Sequence, residues 1–103
     1  MFHLAIRRLK REIEDYDNAL DQVCKIKAKK FKLLDSEEKQ IGFIAQDVYD
    51  VQPELVYIDE STDDRMMSLR YDRFSALHNE AIKELLAKIN LLEDRIKLLE
   101  NKI

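Results

Sequence analysis

The residue types of this chain offer little for catalysis. The sequence contains neither a glycine-rich phosphate loop nor a histidine–cysteine pair. Its single cysteine, Cys24, excludes an internal disulfide and a thiolate metal cluster. Because Cys24 follows Leu20 and Val23 at helical spacing, we expect a buried structural thiol rather than a nucleophile. Carboxylates such as Asp47 and Glu54 are interpreted as parts of solvated faces.

Ligand-binding patterns are equally sparse. His78 has no second ligand at a suitable spacing, so we predict no metal, and we predict no cofactor. Five lysines between positions 25 and 32 alternate with apolar residues, as on the solvent side of a strand. Nucleic acid is therefore not an expected partner.

The strongest pattern is a heptad repeat at the end of the chain. Apolar residues recur at alternating spacings of three and four, and these are Ile82, Leu85, Ile89, Leu92, Ile96, Leu99 and Ile103. Such spacing keeps one stripe facing a partner when helices wind left-handedly around each other, with Ile at each a position and Leu at each d. Each side chain gains about 1.5–3 kcal/mol when fully buried. We predict self-association through this stripe, called the seam below.

The flanking positions indicate how the copies are arranged. In a parallel pair, a residue at g reaches position e of its neighbour, five residues further on. This relation joins opposite charges, namely Lys88 to Glu93 and Arg95 to Glu100. We therefore predict a parallel homo-oligomer.

The number of copies is less firmly specified. Ile at a with Leu at d is the dimer pattern, but apolar residues at other positions widen the face, namely Ala81, Leu86, Leu91 and Leu98. A dimer would leave much of this width exposed, so we favour a trimer. Alternatively, Leu91 and Leu98 pack on the globular part of their own chain.

Length and composition allow one core. The 103 residues, 46% hydrophobic and 38% charged, suffice for a small domain with an appended helix. We divide them into a globular part, 1–72, and a helix, 73–103. Without an apolar run of about 18 residues or a signal-peptide pattern, we expect cytosolic synthesis and no membrane partner.

The pattern before the seam predicts an α+β fold, with a short sheet and two short helices preceding the long helix. A first helix begins after Asp17 and Asn18 and is expected to lie against the sheet. A second helix ends before Pro53. Asp72 is the expected cap of a final helix of about 30 residues, roughly 45 Å long.

Four strands are predicted between these helices, around Phe31 and Leu33, at 41–44, at 55–58 and at 66–70. The strand at 41–44 is apolar on both faces, so we expect it to be central, with Gly42 marking a close approach. The predicted base of the globular part comprises Phe31, Phe43, Ile44, Val48 and Phe74.

Several segments, in this order, resemble a known family. They are Arg8-Leu9-Lys10, Asp17-Asn18-Ala19-Leu20-Asp21, residues 41–48, Pro53-Glu54-Leu55-Val56, and residues 71–85. The set is similar to the C-terminal intramolecular chaperone, a self-cleaving serine peptidase domain, of phage tailspikes, tail fibres and neck appendages. The resemblance covers nearly the whole chain from about residue 5.

The resemblance implies a homotrimer that assembles the fibre polypeptide ahead of it, in the cytoplasm of an infected bacterium, and then cuts itself off. The family's cut uses a Ser that begins the released domain and a Lys five residues later as general base. Here Lys10 matches the base, Ala5 matches the nucleophile and Ile6 stands where Asp is usual. Because a methyl group cannot attack a peptide carbonyl, we expect this chain not to cut itself.

Two other functions remain open. The same family resembles a segment of membrane-anchored eukaryotic transcription factors, in which it would be a trimerisation module. A generic coiled-coil adaptor for a partner helix is the other alternative, and it predicts an isolated chain that is monomeric or that exchanges its coil.

Overall fold

The computed structural model describes residues 5–61 and 63–102. The helices are α1 (Ala19–Lys25), α2 (Ala45–Val51) and α3 (Tyr71–Glu100), with single 3-10 turns at Arg7–Leu9 and Pro53–Leu55. The strands are β1 (Lys29–Phe31), β2 (Gln40–Gly42), β3 (Val56–Ile58) and β4 (Met67–Leu69). This arrangement confirms the predicted α+β class, with a long final helix after short strands and two short helices.

The four strands form two separate antiparallel hairpins. β1 pairs with β2 in a register that sets Lys29 opposite Gly42, and β3 pairs with β4 so that Val56 lies opposite Leu69. The expectation that the segment 41–44 forms a central strand is wrong, since β2 has one neighbour and Ile41 is 75% exposed. An apolar run shows that a strand can be buried, but the number of neighbouring strands decides whether it is.

The core forms where the first three turns of α3 meet the rest of the chain. Its buried side chains come from α1, α2, the Pro53–Leu55 turn, β3 and α3, and they are Ala19, Val48, Leu55, Val56, Phe74, Leu77 and Ala81. The ring of Phe43 stacks on that of Phe74, with centroids 5.0 Å apart. Of the predicted base, Val48 and Phe74 are buried, Phe31 and Phe43 are half-buried, and Ile44 is exposed.

Helix α1 packs against α3, not against a sheet as expected. Two hairpins of three-residue strands present no broad apolar surface, whereas Leu77 and Ala81 of α3 do. Cys24 is exposed, so the prediction of a buried thiol is wrong. Each helical residue turns by about 100°, so Cys24 lies beyond the edge of the face formed by Ala19 and Val23.

The structure also tests three local predictions, of which it confirms one. A Cβ atom on Gly42 would lie 3.3 Å from both the Phe31 ring and the Tyr71 hydroxyl, which confirms a close approach. Leu33 lies outside β1 and is 52% exposed. Helix α3 begins at Tyr71 with Arg70 as its N-cap residue, so Asp72 is not the cap and instead places its charge in the first turn.

Candidate functional site

The seam lies uncovered along α3. Six of its residues are described, and their exposed fractions are 66% for Ile82, 47% for Leu85, 44% for Ile89, 54% for Leu92, 52% for Ile96 and 63% for Leu99. Ile103 lies outside the described residues. A continuous exposed apolar stripe of this kind marks an interaction surface.

The fold keeps the seam free because the globular part occupies another side of α3. The α3 residues buried in the core are Phe74, Leu77 and Ala81, at heptad positions g, c and g. The midpoint between positions g and c lies about 100° around the helix from the middle of the a and d stripe. Folding of a single chain therefore buries one stripe of α3 and leaves the seam available to another chain.

Leu91 and Leu98 continue the buried side of α3 beyond the globular part. Both occupy position c, and they are 59% and 62% exposed. The alternative that they pack on the globular part of their own chain is therefore wrong. They lie on the portion of α3 that projects past α1.

The charged residues beside the seam are available to a second chain. In the described part of the chain, Lys88, Glu93, Arg95 and Glu100 form no ion pair with one another or with other side chains. Exposed ion pairs contribute at most about 1 kcal/mol each. In an assembly of several chains, these pairs would select orientation and register, and burial of the seam would supply the affinity.

Glu84 fixes α1 on α3. Its Oε2 accepts a hydrogen bond of 3.0 Å from the backbone N–H of Leu20, in the first turn of α1. The predicted capping residue Asn18 does occupy the N-cap position, but its backbone is left-handed, with φ of 61°, and its side chain makes no capping bond. The carboxylate of Glu84 thus supplies the negative charge that a helix N-terminus favours.

Replacing Glu84 with Ala is expected to destabilise the fold by about 1–2 kcal/mol, because a half-buried N–H loses its acceptor. For a domain of this size, that corresponds to a melting temperature lower by roughly 4–16 °C. Glu84→Gln, which retains an acceptor oxygen, should lose less than half as much. Equal melting temperatures for the Ala variant and the unaltered chain, at matched concentration, would show that the cap contributes nothing.

A second surface feature is an open groove near the start of the chain. It encloses about 810 Å³, and its lining includes Lys10, Tyr16, Glu54 and Arg73. Arg73 Nη1 donates to the carbonyl oxygen of Glu54 at 2.8 Å, which ties α3 to the turn before β3. Burial raises the pKa of the Tyr16 hydroxyl; the Gln52 side chain partly opposes this rise and the Glu54 carboxylate adds to it.

Of the two matched cleavage residues only Lys10 lines this groove, and the two do not form a catalytic pair. The Arg7–Leu9 turn precedes Lys10, whose N–H donates to the Arg7 carbonyl at 3.0 Å. Lys10 lines the groove; Ala5 is exposed and does not line it. The side chain of Ala5 has no atom that could attack a carbonyl, so the groove contains a candidate base without a nucleophile.

Sequence reasoning missed the tertiary contacts that organise both surfaces. Glu84 and Leu20 are 64 positions apart, and Arg73 and Glu54 are 19 apart, so neither contact leaves a local signal. In the described ranges, no three His, Cys, Asp or Glu side chains are grouped to hold a metal. No helix within those ranges is both long and apolar enough to cross a membrane.

Comparison with known protein families gives a match over the first half of the chain. A peptidase-family model described as "Chaperone of endosialidase" matches residues 7–57. Over this segment, just under half of the chain, the sequence is similar to the endosialidase chaperone family. The match confirms the resemblance to an intramolecular chaperone domain. No curated protein matches the chain.

The limits of the family match follow the structure closely. It runs from the Arg7–Leu9 turn, through α1 and α2, into β3, and it includes Lys10. Ala5 and Ile6 precede it, and α3 with the seam follows it. The family match thus rests on the globular part. The predictions for the cleavage position and for the seam rest on residues outside the match.

Proposed function

We propose that this chain is a trimerisation and folding chaperone for a phage tail fibre, tailspike or appendage polypeptide, and that its self-cleavage is lost at Ala5. The observation that carries the proposal is the exposed heptad seam on α3, attached to a globular part that is similar to the endosialidase chaperone family. The proposed partners are other copies of the chain and a client polypeptide preceding it. The proposed location is the cytoplasm of the infected bacterium during virion assembly.

The physical task of such a chaperone is to bring three client chains together, which is otherwise a slow step. Three strands of a fibre must meet in register before any contact offsets the entropy lost on ordering them. Chaperone domains that are already joined hold the client ends together at an effective concentration of roughly millimolar. A parallel seam also gives all three client ends the same direction.

Loss of the nucleophile would change what happens after assembly. A self-cleaving chaperone leaves its product, whereas a chain with Ala5 stays attached or acts as a separate polypeptide. The exposed Ile6 next to it also departs from the usual Asp, so two adjacent positions differ from the family's cleavage pattern.

The proposal is tested by placing a β-rich fibre segment ahead of the chain and measuring its yield of protease-resistant trimer. We expect a yield at least tenfold higher than that of the segment alone. A version carrying Ile89→Ser and Leu92→Ser should fall to the yield of the segment alone, whereas Asn90→Ser with Asp94→Ser, outside the seam, should retain the gain. A segment that trimerises equally well without the chain would refute the proposed role.

A further inference from the structure

An apolar groove lies between α1 and α3, next to the start of the seam. Leu20 and Val23 of α1 form one wall, and both are half-buried. The floor and opposite wall come from α3, and they comprise His78, Ala81, Ile82 and Leu85. The groove encloses about 380 Å³, and since Ile82 and Leu85 also belong to the seam, the two surfaces are continuous.

The heptad register determines which residue of a neighbouring copy lies over this groove. Ala81 occupies position g, so in a parallel assembly it faces position e of the neighbour, five residues further on. That residue is Leu86, which is 54% exposed in its own chain. The same relation joins Lys88 to Glu93 and Arg95 to Glu100, so the pairs of opposite charge favour the register that brings Leu86 to Ala81.

The change from an apolar to a charged pair occurs beside the start of α1. At Ala81, α1 lies alongside and its Leu20 and Val23 extend the apolar surface; Glu84 then caps the start of α1. Lys88 lies further along α3, in a more polar pocket whose lining includes Asn18, Asp21 and Glu84 as well as Leu20, and Arg95 lies two turns beyond it. The neighbour's leucine thus lies where the groove lining is apolar, and its carboxylates lie where the surroundings are polar.

We propose that Leu86 of a second copy of this chain inserts into the groove between α1 and α3. Helix α1 is then part of the subunit interface and not only a brace for α3. Each copy offers one groove and one leucine, so the contact repeats around the assembly. This inference rests on the proposed self-association, and it adds a specific contact outside the coiled coil.

Disulfide trapping tests the contact directly. With Cys24→Ser in the background, Val23→Cys and Leu86→Cys should form bonds between chains on mild oxidation, and most of the protein should run as covalent dimers and trimers in a denaturing gel. A matched variant places the second thiol at Ala87 instead, which is exposed and lies at position f, opposite the seam. It should give less than about one tenth as much cross-linked product.

An independent test uses the affinity of the assembly. Leu86→Asp places a charge in an apolar groove and is expected to raise the dissociation constant about 10- to 100-fold in sedimentation equilibrium. Ala87→Asp, at the exposed position f opposite the seam, should change it less than threefold. An assembled protein that shows neither selective cross-linking nor an effect of Leu86→Asp would overturn the groove contact alone, whereas a monomeric unaltered chain would overturn both it and the proposed function.

Discussion

Ile89→Ser combined with Leu92→Ser is expected to convert the assembled protein into monomers. Each substitution removes about 1.5–3 kcal/mol of burial per chain. Together they lower the free energy of association by roughly 3–6 kcal/mol per chain, which weakens binding about 10²- to 10⁴-fold. Light scattering and sedimentation at micromolar concentration should show the mass of a single chain.

The same variant should keep its globular fold. The residues that attach α3 to the core are Phe74, Leu77 and Ala81, and they precede the substituted positions by at least two helical turns. The part of α3 beyond Lys88 would lose its only predicted packing partner, and a helix of about 12 residues is marginal alone in water. Hydrogen exchange should therefore become fast there and remain slow in the first turns of α3.

A control separates loss of the seam from loss of helix propensity. Asn90→Ser with Asp94→Ser introduces the same two residues into the same two turns, on the side opposite the seam, and should leave the assembled mass unchanged. A full-sized oligomer from the Ile89 and Leu92 variant would show that the seam does not join the chains.

The periodic spacing of apolar residues made α2 and α3 predictable from sequence. Pro53 marked the end of α2. A helical apolar stripe and a proline are local signals, and both helices form where those signals lie. The seam was recognisable for the same reason, because its repeat continues from Ile82 to the last residue. These features need no knowledge of what packs against them.

The features that sequence reasoning missed depend on distant partners. The exposure of Cys24 depends on which side of α1 faces α3, and the exposure of Ile41 depends on how many strands flank β2. The Glu84 cap replaces the local cap expected from Asn18. In each case the local pattern permits several environments, and a contact far away in the sequence selects one of them.

The second large expected effect is the loss of self-cleavage before Ala5. A client fused ahead of residue 1 is expected to stay attached through expression and purification, because Ala5 has no hydroxyl and Lys10 can only accept a proton from a nucleophile that is present. Denaturing gels and intact mass should show a single full-length species. A clean cut at the peptide bond before residue 5 would contradict the assignment of Ala5 to the nucleophile position.

Restoring the family pattern tests whether the rest of the machinery persists. Ala5→Ser with Ile6→Asp returns a hydroxyl that could attack the preceding carbonyl, with Lys10 as the group that takes its proton. We expect the fused client to be released, and Lys10→Ala in that background to restore the intact fusion. The Arg7–Leu9 turn that precedes Lys10 is present in the unaltered chain, so we expect restoration of the nucleophile to suffice without a change in the local backbone. If the restored variant stays intact, the chain lacks more of the cleavage machinery than the hydroxyl at position 5, and Lys10, in the groove beside Tyr16 and Arg73, does not suffice as a base.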